Sequence, residues 1–191
     1  MERSAVYRRA LAPIMVWTGL LGIIFGIVGW KLDLRLGGFV EFWSVAAMAA
    51  IIGSFLLVRR QALKDSEPFW SPPTRRIAQA LLPPLFIGAF INAMITYFVA
   101  KEDKSNCLLV IILWLWLYGC AAFSAGFFVP RGMKLFGWIF IFAGCALALL
   151  LPGNSSLLEI PPCLLMATTF GILHLAYGIY LYVTEKRKNA A

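Results

Sequence analysis

RRQALKDSEPFWSPPTRR, residues 59–76, is the one long polar stretch in a chain of 191 residues. It carries Arg59, Arg60, Lys64, Arg75 and Arg76, five of the 17 basic residues, and apolar runs of helix length lie on both sides of it. Basic residues are retained on the cytoplasmic side when a membrane protein inserts. The stretch therefore reads as a cytoplasmic loop, and it orients everything around it.

The rest of the chain supplies the membrane part of that reading. At 61% hydrophobic and 14% charged, with a mean hydropathy of +0.83, it is far more apolar than a soluble domain, which averages about 45–50% apolar and about 25% charged. Its solvent is lipid. About 20 apolar residues, rising ~1.5 Å each, are needed to cross a hydrocarbon core of ~30 Å. Six runs qualify: 11–30, 39–58, 77–100, 107–129, 135–151 and 163–183. The segments between them are too short to hide a soluble domain. The sequence thus predicts an all-α integral membrane protein, a single membrane domain over 1–191 built as a six-transmembrane-helix bundle. The first run follows Arg3, Arg8 and Arg9 as a signal peptide would. It is longer than a typical h-region of about 7–15 residues and no A-x-A-like site follows, so it reads as a retained helix.

With the N-terminus inside, the inner segments hold Arg3, Arg8, Arg9, Arg59, Arg60, Lys64, Arg75, Arg76, Arg131, Lys134, Lys186, Arg187 and Lys188. The outer segments hold only Lys31, Arg35, Lys101 and Lys104. This asymmetry predicts cytoplasmic N- and C-termini in a cell membrane, taken as the bacterial inner membrane. It also accounts for the net charge of +8 without nucleic acid. Anionic lipid head groups are the natural partners of the basic loop. Phe69 and Trp70, set between the arginine pairs by Pro68, Pro72 and Pro73, suit the lipid interface; docking of a cytoplasmic partner is the sharper alternative.

Several runs carry packing signals. Gly22 and Gly26 make a GxxxG step in the first, with Gly19 and Gly29 nearby. In lipid, small residues that let backbones approach are the usual packing device. Contact within the chain is favoured here over contact with another membrane subunit or a further copy. Trp17 and Trp30 look like interfacial anchors, and Glu41 reads as a carboxylate reaching the head groups beside Trp43. LLVIILWLWLY in the fourth run reads as partly lipid-facing, and the GCAAFSAGFF after it as close-packing. Gly137 and Gly144 share a face of the fifth.

Candidate site residues come from the third and sixth runs. The pair Pro83 and Pro84 is expected to break the third helix and free carbonyls. Asn92 follows, on a stripe with Gly88, Ala89 and Thr96, and near Tyr97. The sixth run holds the single histidine, His174, on a face with Ala167, Gly171 and Gly178 and one turn from Tyr177. Small-residue faces turn inward. At ~1.5 Å per residue the depths of Asn92 and His174 differ by only ~5 Å, so both are expected to point into the bundle and flank one polar cavity. A mid-membrane His serves as a proton carrier, a haem or metal ligand, or a polar contact between helices. One His makes no metal site without Cys or carboxylate partners. A plain hydrogen bond to Asn92, Ser124 or a backbone carbonyl weighs as much as the functional roles together.

Cys107 and Cys163 fall at the expected outer ends of the fourth and sixth helices, close enough to consider a disulfide. No CxxC, GxxxxGK[ST], HExxH or GxSxG occurs, and no cofactor is called for. In size, helix number and its small-residue first helix the chain is similar to the substrate-binding subunits of energy-coupling-factor vitamin transporters, a likeness of architecture that no motif carries. Three functions stand open: binding or transport of a small molecule in a cavity near Asn92, Thr96, Tyr97, His174 and Tyr177; an accessory or scaffold subunit; and, last, an intramembrane enzyme or redox subunit using His174.

Overall fold

The computed structural model describes residues 5–64, 66, 68–98, 105–129, 132–150 and 159–189. The described residues are helical apart from short turns. They form α1 (Ala5–Lys31), α2 (Leu36–Lys64), α3 (Pro72–Phe98), α4 (Ser105–Ala125), α5 (Met133–Leu150), α6 (Pro162–Met166), a π-helical turn (Ala167–Ile172) and α7 (Leu173–Asn189). The last three run on as one rod, so the described residues form six helices long and apolar enough to span a membrane. Helices are the expected solution, since hydrocarbon offers no partner to an unpaired N–H or C=O. The expected helix ends at Ala100 and Leu151, and the outer loops around Lys101 and Asn154, lie outside the described residues.

Two expectations about helix ends are corrected. The polar loop 59–76 shrinks to 65–71, because α2 runs on to Lys64 and α3 begins at Pro72. Arg, Gln, Ala, Leu and Lys are all good helix formers, so RRQALK extends the helix instead of ending it. Pro72 stands in the first turn, where no N–H is required. The Arg75 N–H bonds the Ser71 carbonyl at 3.1 Å, and the Ser71 and Thr74 hydroxyls lie 3.0 Å apart. Nor do Pro83 and Pro84 break α3, which is helical through both. The departure from α geometry lies in the sixth span instead.

Neighbouring helices pack antiparallel. Along α1 and the sixth span, Val16 meets Gly178, Gly19 meets Gly171 and Leu175, Gly22 meets Gly171, Gly26 meets Ala167, and Gly29 meets Cys163. A Cβ added to Gly22 would sit 2.8 Å from the Gly171 Cα, so it is the missing side chains that let these backbones close. The glycine face of α1 is thus used within the chain, and the beginning of α1 and the end of α7 share one end of the bundle. A second glycine seam joins α4 to α5, where Gly137 lies against Gly119 and Phe123, and Gly144 against Trp116. The α4–α5 turn holds Gly132 at φ +82°, in the left-handed region that glycine enters without strain.

The bundle is centred on α4, half of whose apolar window is buried, against 6% for α3. The LLVIILWLWLY segment is outward-facing in part, as expected: Leu109 and Trp116 are exposed, while Leu108, Val110, Ile111, Ile112 and Leu115 are buried. Trp43 is corrected too. It points inward, buried against Phe25, Phe39 and Phe42, instead of standing at an interface. Helices α2 and α3 lie at the periphery and meet chiefly through the segment that joins them.

Candidate functional site

His174 lies near the middle of the sixth span and is wholly buried. Its Nε2 is 2.6 Å from the phenolic oxygen of Tyr118 on α4. Rings enclose the pair. Phe136 and Phe140 on α5 meet the imidazole edge to face, with centroids at 5.0 and 5.5 Å, and Phe170 stacks on it at 6.1 Å. Tyr118 in turn touches Phe140 and Phe170 at 5.0 and 5.3 Å. Tyr177 closes one side by stacking on Phe136 at 4.7 Å. Three elements thus build one site: α4 supplies the phenol, α5 the aromatic wall, and the sixth span the imidazole.

The local cause of this arrangement is the π turn. The Leu173 N–H reaches back to the Thr168 carbonyl, one residue further than an α-helix allows. Thr168 and Thr169 both donate their hydroxyls to the Leu165 carbonyl, at 2.8 and 2.9 Å. Hydroxyls that occupy ladder carbonyls compete with the helix and commonly bend it. Just after this loosened turn stands His174. Its Nδ1 is buried and has no hydrogen-bond partner among the described residues; the Phe170 carbonyl one turn earlier faces it without meeting hydrogen-bond geometry. A hydrogen bond from the Tyr118 O–H to Nε2 leaves the proton of a neutral imidazole on Nδ1, on the side of the Phe170 carbonyl.

Asn92 is not part of this site. Its Oδ1 accepts a bond from the indole N–H of Trp114 at 3.1 Å, and its carbonyl accepts one from the Thr96 hydroxyl at 2.9 Å. Trp114 and Tyr118 both sit on α4, which therefore stands between Asn92 and His174. The two depths were matched, but helix order decides adjacency: α3 meets α4 through Trp114 and the sixth span meets it through Tyr118, one turn further on. Tyr97 is 80% exposed on α3, away from any interior cavity. Of the five residues expected to line one cavity, His174 and Tyr177 come together, while Asn92, Thr96 and Tyr97 stay on α3.

Cys107 and Cys163 are both buried and neither is in a disulfide, so the expected bond does not form. The Cys163 sulfur is directed at the notch over Gly29 of α1. Among the described residues no three His, Cys, Asp or Glu side chains gather into a group able to hold a metal. Tyr118 and Trp114 are the participants that sequence reasoning missed. Their spacing of four residues on one helical face, each a bulky ring with a polar tip, was the available signal. Comparison of the chain with protein families, with curated proteins and with solved structures finds no match.

Proposed function

We propose that this chain is a multi-pass inner-membrane protein with both termini in the cytoplasm, which binds or carries a small hydrogen-bond-accepting molecule at the Tyr118–His174 site. One observation carries the reading: directly after a π turn, the Nδ1 of His174 is buried and makes no well-formed hydrogen bond among the described residues, the Phe170 carbonyl being the one group that faces it. Leaving such a group without a partner costs about 1–3 kcal/mol, and buried polar groups are rarely left so. Single π turns inside α-helices are frequent at functional sites, because one surplus residue lets the helix change register locally. A ligand acceptor entering beside Phe170 and Tyr177 would satisfy Nδ1, while the aromatic wall would cover its apolar part.

The test is extraction and mass spectrometry of small molecules retained by the protein purified in lipid nanodiscs, compared with His174→Phe. That variant keeps a ring in place and removes both nitrogens. The expected result is a molecule held by the wild type and absent from the variant at unchanged helix content. Identical extracts from the two proteins would reduce the pair to a structural contact.

An accessory role is the second reading, supported by the exposed outer face of α3. Phe86, Phe90 and Tyr97 are 73%, 56% and 80% exposed there. Copurification of a stable larger complex, lost when Phe86 and Phe90 are changed to Leu and Ala, would favour it.

A further inference from the structure

The basic α2–α3 junction plays no part in the intramembrane site. Helix α2 has 29 residues, about 44 Å of rise, and so overshoots a ~30 Å hydrocarbon core. A helix that overshoots the core in this way would carry its last turns, with Arg59, Arg60 and Lys64, and the first turns of α3, with Arg75 and Arg76, to head-group level. All five side chains are exposed, and none has an ion pair or hydrogen bond with a described residue. The joining segment does not extend away from the membrane. Phe69 folds back onto Phe55, with ring centroids 5.0 Å apart, and packs against Ala10, Val58 and Ala62. Phe55 is one turn before Arg59. Trp70 stacks on Phe69 at 6.3 Å and is 60% exposed, and the neighbouring Leu63 is 73% exposed. An exposed indole and leucine therefore lie in the same short junction as five exposed cations from two helices, none of them paired with a described residue.

We infer that this junction is a binding site for anionic phospholipid, with the arginines and Lys64 taking the phosphate oxygens and Trp70 and Leu63 lying along the acyl chains. Guanidinium forks suit phosphate, and carbon-rich neighbours exclude a soluble anion's preference for water. The two carboxylates in the same stretch, Asp65 and Glu67, are outnumbered.

The full chain is placed in nanodiscs of phosphatidylcholine containing spin-labelled phosphatidylglycerol, and the immobilised lipid fraction is measured by electron paramagnetic resonance. The wild type is expected to prefer the anionic lipid over its choline counterpart. Each neutralised arginine should weaken that preference about fivefold, the equivalent of ~1 kcal/mol. The Arg59→Gln, Arg60→Gln, Arg75→Gln, Arg76→Gln variant should lose it, and Lys31→Gln, on the opposite end of α1 and α2, should keep it. Salt at 1 M, where the Debye length is ~3 Å, should also suppress it in the unaltered protein, which tests the idea independently of any folding defect. Equal preference in the quadruple variant would overturn the assignment. So would displacement of the lipid by inorganic phosphate at matched concentration, or binding of polyglutamate with no lipid preference at all.

Discussion

Removing the phenol and the imidazole singly and together measures what the buried Tyr118–His174 contact contributes. Tyr118→Phe deletes one oxygen and strands Nε2; His174→Phe preserves a ring between Phe136, Phe140 and Phe170 but strands the phenolic O–H. Interhelical hydrogen bonds in membranes average about 0.6 kcal/mol and reach about 1.7. At 2.6 Å, with the imidazole wholly buried, this bond belongs near the upper figure. Each single change also leaves a buried polar atom unsatisfied, at about 1–3 kcal/mol. Each single variant should therefore lose about 1–2 kcal/mol. In the double variant both polar atoms are gone at once and neither is stranded, so it should lose no more than either single one. The expected coupling is about 1–2 kcal/mol. His174→Ala is different in kind: it removes the ring contacts as well, and the resulting cavity should cost about 3–5 kcal/mol. Equilibrium unfolding in mixed lipid–detergent micelles reads all four values. Additivity of the two Phe changes to within about 0.5 kcal/mol would refute the reasoning, since independent sites add to that accuracy.

Three further outcomes follow from the packing. Gly22→Val should destabilise by about 1–3 kcal/mol because the new side chain meets Gly171 backbone that cannot yield, whereas Gly38→Ala, whose Cβ meets only the Leu34 side chain at 3.4 Å, should be close to neutral in thermal unfolding. All four cysteines should be titrated by a thiol reagent after denaturation without reductant, since none is in a disulfide; fewer than four would mean a bond that the structure does not contain. Reporter fusions at Asn154 and at the C-terminus should report opposite sides of the membrane, and a shared side would refute the positive-inside reading.

Much of the architecture was legible in the residues because lipid imposes simple rules. A run such as 11–30 must be helical whatever it packs against, and its glycines announce a close neighbour. The basic residues around 59–76 marked where chain leaves the membrane, although helix propensity carried α2 further than polarity suggested. Proline misled for a related reason. Pro83 and Pro84 are costly in water, but α3 keeps its helix through both of them. The π turn came from Thr168 and Thr169, whose hydroxyls bond the Leu165 carbonyl, a competition invisible to hydrophobicity.

The sequence by itself determined six apolar helices and the inward direction of His174; it missed the start of α1, the end of α2, the start of α3, and the ends of α4 and α7 by about four to six residues. Only the tertiary structure decided its partner. Depth along a helix is a local quantity, set by counting residues at ~1.5 Å each, and it put Asn92 and His174 at one level. Adjacency around the bundle is not local. It depends on which helix faces can close, and the glycine seams of α1 with the sixth span and of α4 with α5 placed α4 between α3 and His174. Tyr118, not Asn92, therefore meets the imidazole, because contact between helices is decided by the shape of whole faces and not by the polarity of single residues.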